Sequence, residues 1–146
     1  DPKLDNAAPP LVKVLKEAKA LDRVCVTSFS DKRAAWIKEQ LGPDLCCGLG
    51  PLGTARMRFS SLSGPFSGIW GEFEQGCLQI PTHQAGIRLV DRRMVEHAHD
   101  RGLQVHVWTI DAPEEMTRLL DLGVDGLMTD RPEILKSVLE ARGAWQ

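Results

Sequence analysis

No apolar run in this sequence is longer than a strand, so none has the length of a membrane-crossing helix. Nor is there a basic stripe. The 18 Lys and Arg are scattered among 20 Asp and Glu for a net charge of −2, which leaves nothing to neutralise a phosphate backbone and argues against nucleic acid as a partner. The opening DPKLDNAAPP lacks the charge and apolar region of a signal peptide. Also missing are H-E-x-x-H, G-x-S-x-G and the phosphate loop G-x(4)-G-K-[ST], and no paired carboxylates and histidines fall on neighbouring strand ends. The chain shows no complete catalytic set.

Metal-ligand spacing is absent as well. Zinc sites usually bring ligands in as C-x(2–4)-C, whereas the four cysteines here are Cys25, Cys46, Cys47 and Cys77. Adjacent Cys46 and Cys47 on a strand would point to opposite faces. Each cysteine lies in or beside a short apolar run, so the pattern favours buried free thiols and a reducing, cytoplasmic compartment. His97 and His99 stand two apart on a helix and diverge, which places both near the surface. His83, in PTHQAG, is a lone loop histidine.

What is present is ordinary for a globular protein: 146 residues, 42% hydrophobic and 26% charged, with no composition break, which predicts one domain over residues 1–146. Leu11, Leu15, Ala18 and Leu21 recur at helical spacing and predict a helix over residues 10–21. RVCVTSF follows as a strand, and SDKRAAWIKEQLG, opening on a Ser/Asp cap and closing on Gly42, as a second helix. Further strands are expected in DLCCGLG, GCLQIP, LQVHVWTI and DGLMTD. Helices are expected at 91–101, 113–122 and 132–141, the first two stopped by Gly102 and Gly123. Residues 53–76 read as an irregular loop with a short helix near 55–62. Five strands alternating with helices through short connections require parallel pairing, so the fold class is α/β.

One device occurs twice. In VHVWTIDAPEEM, residues 105–116, Asp111 precedes Pro113 and Glu114; in GLMTDRPEIL, Asp130 precedes Pro132 and Glu133. An aspartate cap, a proline in the first turn and a glutamate that bonds back to the cap make a strand-to-helix turn in both places. Ligands of parallel α/β folds gather at such strand ends. The ends to inspect carry Ser28, Phe29 and Ser30; Gly48 to Gly50; Gln79, Pro81 and His83; Trp108, Thr109 and Asp111; and Thr129, Asp130 and Arg131. Strand alternation puts His106 and Trp108 on one face and Val105 and Val107 on the other. Taken alone, Trp108 reads first as a core aromatic, and Asp111 and Asp130 as caps.

LQIP, followed by AHDRGLQVHVWTIDAPEEMTRLLDLGVDGLMTDRPEIL, resembles the carboxy-terminal part of the glycerophosphodiester phosphodiesterase family, and the likeness extends more loosely back through SFSD. It implies a partial (β/α)8 TIM-type barrel, about strands four to eight with their helices. It also implies that Trp108, with Asp111 beside it and Phe29 as a weaker contact, faces a glycerophosphodiester substrate. The family reaction yields glycerol 3-phosphate and an alcohol, in lipid and glycerol metabolism, and uses a divalent cation, magnesium or calcium, with two histidines. The family's H-R-G, E-x-D and E-x-K segments have no match here. The resemblance therefore implies that the chain alone binds no cation and is inert, as part of a longer phosphodiesterase. A non-catalytic relative that binds a phosphorylated small molecule or a protein partner is the alternative. Five strands of a closed eight-stranded sheet would leave two edges, to be covered by the missing amino-terminal segment or by self-association.

Overall fold

The computed structural model describes residues 1–71, 73 and 76–145. The chain divides into two compact units, Asp1–Leu78 and Gln79–Gln146.

In the first unit a 3-10 turn, Asp5–Ala7, leads into α1 (Ala8–Glu17), which starts two residues before the expected helix and ends four before it. Pro9 in its first turn costs no hydrogen bond there. Leu21 falls instead in a separate 3-10 turn, Leu21–Arg23, after Lys19 adopts a left-handed φ of 48°. β1 is only Cys25–Val26; α2 runs Asp31–Leu41, β2 is Cys46–Cys47 and α3 is Pro51–Leu62. The expected cap of α2 is present: Ser30 Oγ accepts the Arg33 amide at 3.3 Å, and Gly42 ends the helix with φ 98°. β1 and β2 pair in parallel, Cys25 with Cys46 and Val26 with Cys47, and Gly48 forms a parallel bridge to Cys77. The apolar faces of α1 and α2 contribute Val12, Leu15, Ile37 and Leu41 to a core shared with Val26 and Cys47.

In the stretch expected to be irregular apart from a short helix near 55–62, that helix is present and starts earlier, and a 3-10 segment follows it. α3 begins at Pro51 behind Gly50, and Asp31 Oδ2 accepts the Leu52 amide at 3.3 Å. Asp31 lies 21 residues upstream, so no local pattern could reveal this acceptor. It also explains Gly50, where any Cβ would collide with the Asp31 carboxylate. A 3-10 segment, Gly64–Trp70, then folds back on α3: the Trp70 indole donates to Ser63 Oγ at 2.9 Å and stacks on Phe59 with ring centroids 6.0 Å apart. Residues 72, 74 and 75 of that stretch lie outside the described residues.

β3, Cys77–Ile80, runs across the unit boundary. The second unit continues with an antiparallel hairpin, β4 (His83–Gln84) and β5 (Ile87–Arg88), which the sequence pattern did not announce. It turns through Ala85 and Gly86, both at positive φ. α4 (Arg92–His99), β6 (Gln104–Val107), α5 (Pro113–Leu122), β7 (Gly126–Leu127) and α6 (Pro132–Ala141) follow. The last two helices have the expected bounds. Asp91 Oδ1 caps α4 by accepting the Met94 amide at 2.8 Å, and Gly123, at φ 90°, ends α5 in the left-handed region. The sheet order is β3-β6-β7, with β6 and β7 parallel, so the α/β class holds. Val105 and Val107 are fully buried while His106 and Trp108 are half-buried on the opposite face, as alternation requires. No helix among the described residues is long and apolar enough to cross a membrane.

Candidate functional site

Trp108 stands at the carboxyl end of β6, where its amide donates to Ile80 O at 3.2 Å. The Trp108–Thr109 peptide is cis. Beyond it the chain stays tied to the neighbouring strand: Met128 N donates to Val107 O, and Ile110 N to Met128 O, each at 2.9 Å. The loops after β6 and β7 therefore form one hydrogen-bonded ledge carrying Trp108.

Asp111 joins that ledge in an unexpected way. It does not cap α5, whose N-cap is Ala112 with no side-chain bond. Its Oδ1 instead accepts the Thr129 hydroxyl at 2.8 Å and the Asp130 amide at 2.9 Å, across to the other loop. Asp130 is likewise not a cap: Arg131 precedes α6, and Glu133, expected to bond backward to the cap backbone, takes the Arg131 guanidinium at 2.8 Å. The two prolines supply helical φ at N1, so neither helix depends on an aspartate cap, and the Asp111 carboxylate is free to serve the tertiary contact.

Below Trp108, His106 Nδ1 lies 3.5 Å from Gln79 Nε2, and its ring packs over Gly126, whose ideal Cβ would come within 2.9 Å of it. Asp125, absent from the sequence candidates, accepts the Val105 amide at 2.7 Å and His99 Nε2 at 2.8 Å. Burial alone would raise its carboxyl, but the amide and the imidazole outweigh that and hold it below the usual carboxylate range. His83 is exposed on the hairpin, and His97 and His99 project from α4, half-buried and exposed.

Phe29 lies in the first unit, on the loop between β1 and α2, exposed, with Lys3 Nζ 4.9 Å from its ring centroid. Beside it Ser28 is buried and bound to Arg33, which donates to Ser28 Oγ and Pro2 O at 2.9 Å each and pairs with Asp5 at 2.8 Å.

The cysteines depart from expectation in two respects. Cys47 and Cys77 are buried, but Cys25 and Cys46 are exposed. Cys46 and Cys47 do point to opposite faces, and this turns Cys46 towards Cys25 and Cys77, with all three Sγ atoms within 4.8 Å of one another. Cys25 Sγ lies 3.4 Å from Cys77 Sγ; that contact, then burial, pushes the Cys25 thiol up, and the same contact holds Cys77 down against the opposing effect of burial.

The sequence comparisons converge. The family model for the glycerophosphoryl diester phosphodiesterase family matches residues 72–134, the stretch holding β6, the Trp108 ledge and β7. A Mycobacterium tuberculosis protein with the name "Probable glycerophosphodiester phosphodiesterase 2" is 33% identical over 99% of this chain and 55% of its own length. The chain belongs to the glycerophosphodiester phosphodiesterase family. A glycerophosphodiester phosphodiesterase of Caldanaerobacter subterraneus is 29% identical, over 91% of this chain and 49% of its own. The chain thus spans about half the length of the curated relatives it matches. Among solved structures, the phosphodiesterase domain of Rv2277c from Mycobacterium tuberculosis superposes with a TM-score of 0.74 at 16% identity, covering 95% of this chain and 56% of that one. A phosphodiesterase of Parabacteroides distasonis gives 0.61 at 20% identity, covering 95% and 52%. At such identity these establish a shared α/β fold.

Proposed function

We propose that this chain is the carboxy-terminal, substrate-facing portion of a phosphodiesterase that hydrolyses glycerophosphodiesters to glycerol 3-phosphate and an alcohol. Its strands correspond in this reading to about strands four to eight of a (β/α)8 barrel, in a cytoplasmic enzyme. The observation that carries the reading is the Trp108 ledge: an aromatic at a strand end, on a loop that Asp111 fastens to its neighbour. A half-buried indole so fixed offers an apolar wall to the glycerol moiety without reorganising on binding. Asp111, with its Oδ1 engaged by Thr129 and Asp130, contributes by holding that wall. Phe29 is a weaker candidate contact.

Diester hydrolysis needs activation of a nucleophile and protonation of the leaving alkoxide, and in this family a divalent cation supplies charge neutralisation on the phosphate. The residues present do not fit magnesium or calcium. Those ions take oxygen ligands, whereas the described group converging on one point is three thiols. The chain's own share is binding and orientation, and the acid, base and cation ligands belong to a longer protein.

The test compares the 146-residue chain with a longer protein carrying the H-R-G and E-x-D segments, assayed on glycerophosphocholine with magnesium and with calcium. The chain alone should give no turnover. The longer protein should be active, and Trp108→Ala should lower its kcat/KM at least about tenfold, as loss of a binding wall does, with its unfolding midpoint nearly unchanged. Turnover by the short chain that Trp108→Ala abolishes would overturn the division of labour. An inactive longer protein that still binds glycerol 3-phosphate would favour a non-catalytic binding role.

A further inference from the structure

We propose that Cys25, Cys46 and Cys77 form a binding site for one thiophilic d10 metal ion, zinc(II) or copper(I), held by three thiolates. The three side chains come from three strands of one parallel arrangement: β1 and β2 place Cys25 opposite Cys46, and β3 enters beside β2 through the Gly48–Cys77 bridge. Their Sγ atoms lie within 4.8 Å of one another, with Cys25 and Cys77 at 3.4 Å. Metal–sulfur bonds of about 2.3 Å in a tetrahedral site set sulfurs about 3.8 Å apart, so small side-chain rotations would seat an ion.

No carboxylate or imidazole joins the group among the described residues, and thiolates alone select soft ions over magnesium or calcium. A disulfide is a poorer use of the cluster. It would need sulfurs about 2 Å apart and would leave a third thiol over. For Cys25 and Cys77, on strands flanking β2, it would also have to span roughly 9 Å of sheet, two strand spacings.

The surroundings admit an ion. Cys25 and Cys46 are exposed, which gives an entry path and room for a water as fourth ligand on zinc, while Cys77 is anchored at 2% exposure. Gly76, whose ideal Cβ would come 3.0 Å from Cys46 Sγ, leaves that sulfur space to turn. Binding exchanges each S–H bond for an S–metal bond and releases the proton to solvent, with no change of oxidation state.

The test titrates reduced, metal-free protein anaerobically with cobalt(II) as a spectroscopic probe, then with zinc(II) and with copper(I), each against a chromophoric chelator. One ion per chain is expected, with sulfur-to-cobalt charge-transfer absorption that zinc abolishes, and with Cys25, Cys46 and Cys77 protected from alkylation. Cys46→Ser, at an exposed position, should lower affinity at least about a hundredfold, the share of one ligand in a thiolate site. Cys47→Ala, on the opposite face, should leave affinity within about twofold, as a group outside the coordination shell does. The zinc and copper arms decide which ion is preferred. Cobalt bound without the charge-transfer band, or affinity for both ions unchanged by Cys46→Ser and by Cys25→Ser, would overturn the site. Circular dichroism of each variant separates lost binding from lost fold.

Discussion

The carboxylate of Asp111 holds the hydroxyl of Thr129 at 2.8 Å, joining the loop after β6 to the loop after β7. The same Oδ1 takes the Asp130 amide, so one side chain satisfies two donors of the loop between β7 and α6. Asp111→Ala should therefore destabilise the second unit by about 1–3 kcal/mol, the cost of stripping a charged acceptor from two donors, discounted for exposure. Asp111→Asn should recover part of this because its amide oxygen still accepts, whereas Thr129→Val should lose both the hydroxyl bond to Asp111 and the acceptor of the Arg131 amide. Urea unfolding of the three variants checks the order. If the alanine variant is as stable as the parent, the clasp has no energetic role.

Acid should weaken the chain through Asp125. Its carboxyl is held below the usual range, so the sign is fixed: the stabilisation is fully present above the unfolded value of about 3.9 and is lost as pH falls through the lower, folded value. Asp125→Asn should flatten the fall of the thermal midpoint below about pH 4, because a group that does not titrate contributes no slope. A profile that is the same in both proteins would remove Asp125 as a cause.

In the first unit, Arg33 ties the chain's opening residues to α2, donating to Pro2 O and Ser28 Oγ and pairing with Asp5, with its side chain only 12% exposed. Asp5 is at the surface, so the ion pair itself contributes little. The expected cost of Arg33→Met is about 1–2 kcal/mol, mostly from Ser28 and the Pro2 carbonyl losing the guanidinium donor they share, with only the longer bond between them and the Ser30 amide remaining. Amide exchange should rise locally at residues 2–7. Asp5→Asn should change stability much less, which separates the two contributions in the same unfolding experiment.

Gly123 closes α5 at φ 90°, a conformation that side chains resist. Its ideal Cβ would lie 3.9 Å from Val95, so space is not the obstacle. Gly123→Ala should cost about 1 kcal/mol from backbone strain alone. A lowered thermal midpoint with an unchanged fold by circular dichroism is the expected result, and an unchanged midpoint would show that the turn relaxes.

Several elements could be read residue by residue because local chemistry makes them. Pro113 and Pro132 open α5 and α6, Gly123 closes the first, and Ser30 and Gly42 bound α2, each acting within four residues of its target. The alternation of Val105, His106, Val107 and Trp108 told which side chains face the helices, since a strand's period is fixed by its backbone. The family likeness likewise rested on an ordered run of residues around Trp108. Where reading failed, the deciding partner was distant. Asp31 serves the start of α3 from 21 residues away, and Trp70, stacked on Phe59, orders the residues beyond the short helix that the sequence suggested.

The sequence by itself determined where α2, α5 and α6 begin, because caps, prolines and glycines act on their immediate neighbours. Only the tertiary structure decided what the remaining polar groups do. Asp111 had the composition of a cap and became a clasp once β7 set Thr129 within 2.8 Å. Cys25, Cys46 and Cys77, spaced 21 and 31 residues apart in the chain, met because parallel pairing aligns strands by their hydrogen bonds and not by their distance in sequence.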